Sequence, residues 1–246
     1  MLLHVLSSGS AGNGYILQAR DEVLVVEAGT HLAEVKKSLG FRIDNIRGVL
    51  VSHEHEDHSA WVKEYADSGI DVLSHERVFE THGLTRHIRS VRVDPEKGYM
   101  VGGFRIIPFE AHHDCPCLGF HIHHAESGNI MFLTDSFMTE YVFDNLSHIL
   151  IEANYSDEIL EENILRGSIP AIMRRRLLQT HMEIKTCRDT ILANGISRLQ
   201  NIVLLHLSNG NSNEVEFIRT IKEATGIPNV FAASKNMKIN LNAEPF

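Results

Sequence analysis

The stretch VSHEHEDHSA, residues 51–60, sets the strongest condition on how this chain can fold. It overlaps the end of the apolar run IRGVLVS, which reads as a buried strand, so its ionisable residues sit at that strand's C-terminal end. On an extended segment residues i and i+2 project the same way, so His53 and His55 offer two imidazoles side by side, as a metal ion requires. Asp57 and His58 follow on the turn into the next helix, where they can face a second cation. Divalent ions about 3.5–4 Å apart form the arrangement that clamps and splits phosphoesters. One loop cannot fill two coordination shells, so the fold must bring further ligands to the same place. A His-x-His pair alone is more often a solvated loop than a metal site; adding Asp57 and His58 reverses that balance. Glu54 and Glu56 read as spacers directed to solvent or to the helix beyond.

The missing ligands stand at the ends of other apolar runs. FEAHHDCPCLGF offers His112 and His113, MFLTDS ends in Asp135, and IVLLHLS ends in His206. A carboxylate at Asp135 could bridge both ions. Cys115 and Cys117 could serve as soft ligands, but the His and Asp set is sufficient, so they read as loop thiols. His121, His123 and His124 alternate along an expected strand and read as a solvated face. His4, His31, His75, His82, His87 and His148 are scattered and carry no site.

The rest of the chain mixes strands and helices throughout its 246 residues. LLHVLSS, GYILQA and EVLVVEAG read as consecutive antiparallel strands separated by GSAGN and RD turns, and THLAEVKKSLG as a helix with a Gly stop. Helices are expected around 156–164, 169–179 and 183–193, with NVFAA and MKINL as a closing pair of strands. No low-complexity linker divides the sequence, which points to one domain over 1–246. No run approaches the length of a membrane span, and no basic leader precedes the first apolar residues. Three cysteines without a CxxC pair fit free thiols in a reducing cytoplasm. The net charge of −9 excludes a generally basic nucleic-acid coat protein but not a nucleic-acid substrate, because bound cations reverse the local sign.

His53-x-His55-x-Asp57-His58, followed by His113, Asp135 and His206, resembles the ligand set of the metallo-β-lactamase superfamily. The resemblance runs along essentially the whole chain. Through SSGSAGN, HDCPCLGF, IEANYS, LLQTHMEI and LLHLSNGNS it is most similar to the YycJ/WalJ-type bacterial hydrolases. It implies an α/β fold, a four-layer αββα sandwich, with a dinuclear site between the sheet edges. It further implies that His53, His55 and His113 hold one ion, that Asp57, His58 and His206 hold the other, and that Asp135 bridges. Between His112 and His113 the resemblance selects the latter, a short loop ahead of Gly119 and Phe120.

With two divalent ions, Zn²⁺ or Mn²⁺ from the mixed N/O donors, a bridging water is acidified towards hydroxide and becomes the nucleophile. Asp57, which alone would look like a catalytic base, reads as a ligand whose role in catalysis is to hold that centre. His181, on a loop before a helix, is the candidate to donate a proton to the leaving oxygen. Ser10, Asn13, Glu152, Asn154 and Ser208 are candidates to support the ligands or touch phosphate, or else simply cap turns. Arg176 lies in a basic stretch with Arg166, Arg174, Arg175, Lys185 and Arg188, a possible track for a phosphate backbone. The expected function is a metal-dependent phosphodiesterase, a DNA exonuclease as the resemblance implies. The alternatives are a hydrolase of a cyclic phosphodiester, thioester or lactone, and a metal-binding protein without turnover.

Overall fold

A computed structural model describes residues 1–170 and 172–243. The first half runs β1 (Leu2–Ser7), β2 (Gly14–Gln18), β3 (Val23–Val26), α1 (Leu32–Ser38), β4 (Ile46–Leu50), α2 (Glu56–Ser59) and α3 (Val62–Asp67). It continues with β5 (Val72–Ser74), α4 (Glu76–Thr81), β6 (Ser90–Arg92), β7 (Tyr99–Val101), β8 (Phe104–Ala111) and β9 (Cys117–His124). The second half has β10 (Gly128–Leu133), β11 (Leu146–Glu152), α5 (Asp157–Leu165), α6 (Ile172–Thr180) and α7 (Ile184–Ala193). It closes with β12 (Asn201–Leu205), α8 (Glu214–Thr225), β13 (Val230–Ala232) and β14 (Lys238–Asn240).

The strands form two seven-stranded mixed sheets, ordered β14-β1-β2-β3-β4-β5-β6 and β13-β12-β11-β10-β9-β8-β7. Leu3, Tyr15 and Leu50 of the first sheet meet Phe104, Phe120, Phe132 and Val203 of the second in a shared central core. Leu32, Val35, Val62, Tyr65, Val78 and Phe79 of α1, α3 and α4 cover the other face of the first sheet. Ile184, Cys187, Ile191, Phe217 and Ile221 of α7 and α8 cover the second. The architecture is thus the expected four-layer αββα sandwich. It explains why VLVV of β3 and NIVLL of β12 are apolar without alternation: both faces of each strand are covered. Each large side chain removed from water in this way contributes about 1.5–3 kcal/mol.

Two features differ from the sequence expectation. The closing strands do not pair with each other: β13 extends the second sheet beside β12, whereas β14 crosses to the first sheet beside β1. His124 is buried rather than solvated, with its ring against Phe104 and Nε2 3.2 Å from Glu22 Oε1. Strand alternation predicted its neighbour's exposure but not that Glu22 of a distant turn would cover it.

What positions the site is strand direction. In the first sheet β3 runs parallel to β4, and β1 points the same way through the intervening antiparallel β2. In the second sheet β10, β11 and β12 are mutually parallel, and β8 shares their direction through β9. The C-terminal ends of these strands carry the polar residues picked out in the sequence. Among the described residues no helix is long and apolar enough to cross a membrane.

Candidate metal centre

After β4, the chain continues extended through Val51 and Ser52 to His53, and His55 is the N-cap of the one-turn helix α2, which holds Asp57 and His58. This loop is stitched to two others by backbone bonds: Asn13 N–H donates to the Asp57 carbonyl at 2.7 Å and Ala28 N–H to the His58 carbonyl at 2.8 Å. The approach is so close that a Cβ on Gly29 would lie 1.8 Å from the Asp57 carbonyl oxygen. Opposite this loop, Asp135 and His206 follow the ends of β10 and β12 with φ of 49° and 52°, and Glu27 follows β3 with φ of 69°. The left-handed region costs a non-glycine residue roughly 1–2 kcal/mol. Here it turns each side chain away from its strand's alternation, Asp135 and His206 towards the centre and Glu27 beneath His58.

Three donor groups result, the third, of Asp135, Glu152, His181 and His206, overlapping the second. His53, His55 and His113, with Cys115, bring one donor atom each within 4.8 Å of one another. Asp57, His58, Asp135 and His206 do the same. Within the first cluster His113 Nε2 is 3.2 Å from His55 Nδ1. In the second, His58 Nε2 is 3.4 Å from Oδ2 of both Asp57 and Asp135, and His206 Nε2 is 3.3 Å from Asp57 Oδ2. Asp135 Oδ2 is also 3.8 Å from His53 Nε2 and 3.9 Å from His113 Nε2, so its carboxylate lies between the two groups.

The donors fit divalent cations. Metal–nitrogen bonds of about 2.0–2.1 Å in a tetrahedral shell place donor atoms roughly 3.3 Å apart, the spacing seen here. His53 Nε2 is fully buried, aimed into the cluster and without a hydrogen-bond partner among the described residues. The ring nitrogens facing away on His53, His55, His113 and His206 have polar neighbours from outside, as ligand histidines require, whereas His58 Nδ1 has no hydrogen-bond partner among the described residues. His53 Nδ1 lies 2.9 Å from Ser52 Oγ, His113 Nδ1 2.9 Å from the Thr180 carbonyl, and His55 Nε2 3.3 Å from Asp114 Oδ1. Glu27 approaches His58 Nδ1 to 3.5 Å, and Glu152 and Asn154 lie 3.6 and 3.1 Å from His206 Nδ1. Burial and the neighbouring His58 hold the His53 imidazole well below its ordinary pKa. Burial opposes ionisation of Asp135, but His206, His58 and His53 overrule it and hold its carboxyl well below the usual range.

Several candidates take definite places. His113 joins the cluster; His112 turns away to Glu140, 2.6 Å distant. The Asn13 side chain lies 3.0 Å from His58 Nε2 and donates to the Asp57 carbonyl at 3.3 Å. Glu152 is a buried hub: Oε1 is 2.7 Å from His181 Nδ1, while Oε2 accepts from Ser136 and Met182 N–H, both at 3.1 Å. Asn154 donates to the His206 carbonyl at 2.8 Å. Ser10 and Ser208 line a cavity of about 560 Å³ beside His206 and His181, with Met173 and Leu177 of α6 as part of its wall. Ser208 Oγ also accepts from Asn211 N–H at 3.3 Å within the turn, but Asn213, not Ser208, caps α8, so the helix-capping alternative falls to another residue.

Three readings need revision. His181 follows the C-terminus of α6 and does not lie at a free helix N-terminus, because the Glu183 side chain already accepts from the first N–H groups of α7. It is instead set by Glu152. Burial would lower its pKa, but the Glu152 and Asp135 carboxylates push it up to about 9. The basic stretch is largely neutralised: Arg166 pairs with Glu162, Arg174 with Glu161, Lys185 with Glu158 and Arg188 with Asp189. Arg175 and Arg176 make no ion pair among the described residues, and both line a second cavity, of about 600 Å³, beside His113. Glu54 is not a free spacer, since it accepts from Thr81 and pairs with Arg77 of α4 at 2.9 Å. Sequence reasoning passed over Glu27 and Asp114. Glu27 stands at a strand end like Asp135, which was the available signal.

An αββα sandwich with two His/Asp clusters sharing one carboxylate at parallel strand ends defines a class of metal-dependent hydrolases. The family model of the metallo-beta-lactamase superfamily matches residues 8–141, and the chain belongs to that superfamily. It is 26% identical over 231 residues to the exodeoxyribonuclease WalJ of Streptococcus pneumoniae, covering 85% of this chain and 82% of the relative. The exodeoxyribonuclease YycJ of Bacillus anthracis is 25% identical over 228 residues, covering 85% and 83%. In fold it is similar to the Bacillus subtilis protein YhfI (TM-score 0.76, 18% identity, 97% and 99% of the chains). It is also similar to the short form of human tRNase Z (TM-score 0.64, 15% identity, 98% and 99%).

Proposed function

We propose that this hydrolase is a phosphodiesterase acting on DNA ends, an exodeoxyribonuclease. The observation that carries the reading is the placement of Asp135 between the two clusters, with Arg175 and Arg176, unpaired among the described residues, beside His113. The exodeoxyribonuclease relatives support it. His53, His55 and His113 would hold one divalent ion and Asp57, His58 and His206 the other, with Asp135 shared. Zn²⁺ or Mn²⁺ bound there would supply Lewis acidity for water activation and for phosphate charge.

The chain's own residues do the rest. Glu27, Asp114, Ser52 and the Thr180 carbonyl fix the ring orientations, so that little reorganisation is needed when substrate arrives. Asn13 ties Asp57 to the GSAGN loop. His181, held by Glu152 at the edge of the cluster, is placed to give its proton to the leaving oxygen. Arg175 and Arg176 bind backbone phosphates on the His113 side, and the cavity walled by Met173 and Leu177 takes the nucleoside on the other.

The test is cleavage of linear single- and double-stranded DNA by metal-stripped protein after restoring Mn²⁺ or Zn²⁺. Metal-dependent release of mononucleotides, lost in Asp135→Ala, is expected. DNA surviving with every metal while bis-p-nitrophenyl phosphate is cleaved would overturn the nuclease reading in favour of a small diester.

A further inference from the structure

The first cluster contains a fourth donor besides its three histidines. Cys115, half-buried, brings its sulfur within the 4.8 Å group formed by His53, His55 and His113. The group is built from two facing i, i+2 pairs, His53/His55 and His113/Cys115, each on a bend beyond a strand end. His53 Nε2, fully buried and unpartnered among the described residues, points into the same space. Asp135, shared between the clusters, leans to the second, at 3.4 Å from His58 Nε2 against 3.8 Å from His53 Nε2. Other candidates for a further position are less well placed. Asp114 approaches His55 and His113 at 3.3 Å, but no group of mutually close donors among the described residues joins it to His53. Cys117 lies behind the ring, 3.6 Å from His53 Nδ1, the nitrogen away from the cluster.

We propose that Cys115 is a further protein ligand of the ion at His53, His55 and His113, adding a thiolate beside the shared Asp135 carboxylate, a set that favours thiophilic ions over Mg²⁺ or Mn²⁺ at that position. The inference rests on the reading of those three histidines as one ion's ligands. On binding, the thiol S–H bond breaks, its proton passes to solvent and a sulfur–metal bond forms, with no change of oxidation state.

The test loads metal-free full-length protein with Cd²⁺ and measures ions bound and the near-ultraviolet thiolate-to-cadmium charge-transfer absorbance. The band is expected in the wild type and in Cys117→Ser, and is expected to be absent in Cys115→Ser. In the wild type, Zn²⁺ is expected to slow alkylation of Cys115 by iodoacetamide about tenfold or more, because a bound thiolate is no longer the free nucleophile. Cadmium bound at two ions per chain without the band, or with a band that survives Cys115→Ser, overturns the ligand assignment and leaves the dinuclear reading standing. Failure to bind Cd²⁺ at all overturns both.

Discussion

At the residue scale the centre is made by backbone departures from regular strand. Glu27, Asp135 and His206 each sit one or two residues beyond a strand, in the left-handed region. Extended geometry would carry these side chains on in the strand's alternation; the turn directs them to one centre instead. Local strain held in place by surrounding structure is a signature of functional positions. His181 differs, since it owes its place to the buried Glu152 carboxylate 2.7 Å away. If it donates a proton to the leaving oxygen, His181→Gln should lower kcat on DNA by about 10²-fold or more. The same variant should cleave bis-p-nitrophenyl phosphate at nearly the wild-type rate, because p-nitrophenolate departs without a proton. Equal losses on both substrates would make His181 a support for the ligands instead. Asp135 and His206 were visible in sequence because an isolated polar residue ends an apolar run. Asp114 and Asn13 were not tied to their partners by any pattern: Asn13 meets a loop 44 residues away. Such contacts are products of the closed sandwich.

At the element scale, two short pieces border the candidate centre: α2 carries Asp57 and His58, and α6 lines the cavities on either side. The one-turn α2 is too short to be stable alone; it is held by the backbone bonds from Asn13 and Ala28 and by the absence of a side chain at Gly29. Helix α6 belongs to none of the three cores, and Thr180 is its only buried residue among those described. Its existence was readable from sequence, but its two faces were not, because the acid that pairs with Arg174 lies on α5. Met173 and Leu177 face the cavity beside His206, and Arg175 and Arg176 the cavity beside His113. The double variant Arg175→Ala/Arg176→Ala should therefore weaken DNA binding and lower the slope of log affinity against log salt by about 2, roughly 0.9 for each phosphate that is no longer neutralised. Turnover of a small diester should change little. A salt slope equal to wild type would mean that the strand does not run along α6.

At the scale of the whole molecule, the order of layers was legible while the pairing of the last strands was not. Apolar runs identify buried strands; which sheet receives β14 depends on a return across the sandwich. Both sheets bury side chains in one core, so unfolding is expected as a single transition. His148 shows how that core constrains pH stability. It sits in β11 opposite Asn201 of β12, fully buried, with the Asn201 amide donating to Nδ1 at 3.0 Å. Burial disfavours the imidazolium and, with the Met1 ammonium nearby, pushes its pKa down from 6.5 to about 4. The unfolded chain takes up this proton near pH 6.5, whereas the folded chain refuses it until about pH 4. The unfolded state therefore binds more protons between those values, and stability falls as pH falls through the window. Above pH 6.5 the stabilising difference is complete, and below pH 4 its loss is complete. The shift corresponds to about 3 kcal/mol at full extent. In urea unfolding of metal-free protein at pH 7.5 and 4.5, the wild type should lose about 2–3 kcal/mol more stability than His148→Gln, whose side chain does not titrate. Histidines of the metal centre contribute equally to both proteins and cancel in the comparison. An equal loss in both would show that the buried ring accepts its proton without penalty, and that the β11–β12 contact yields to charge.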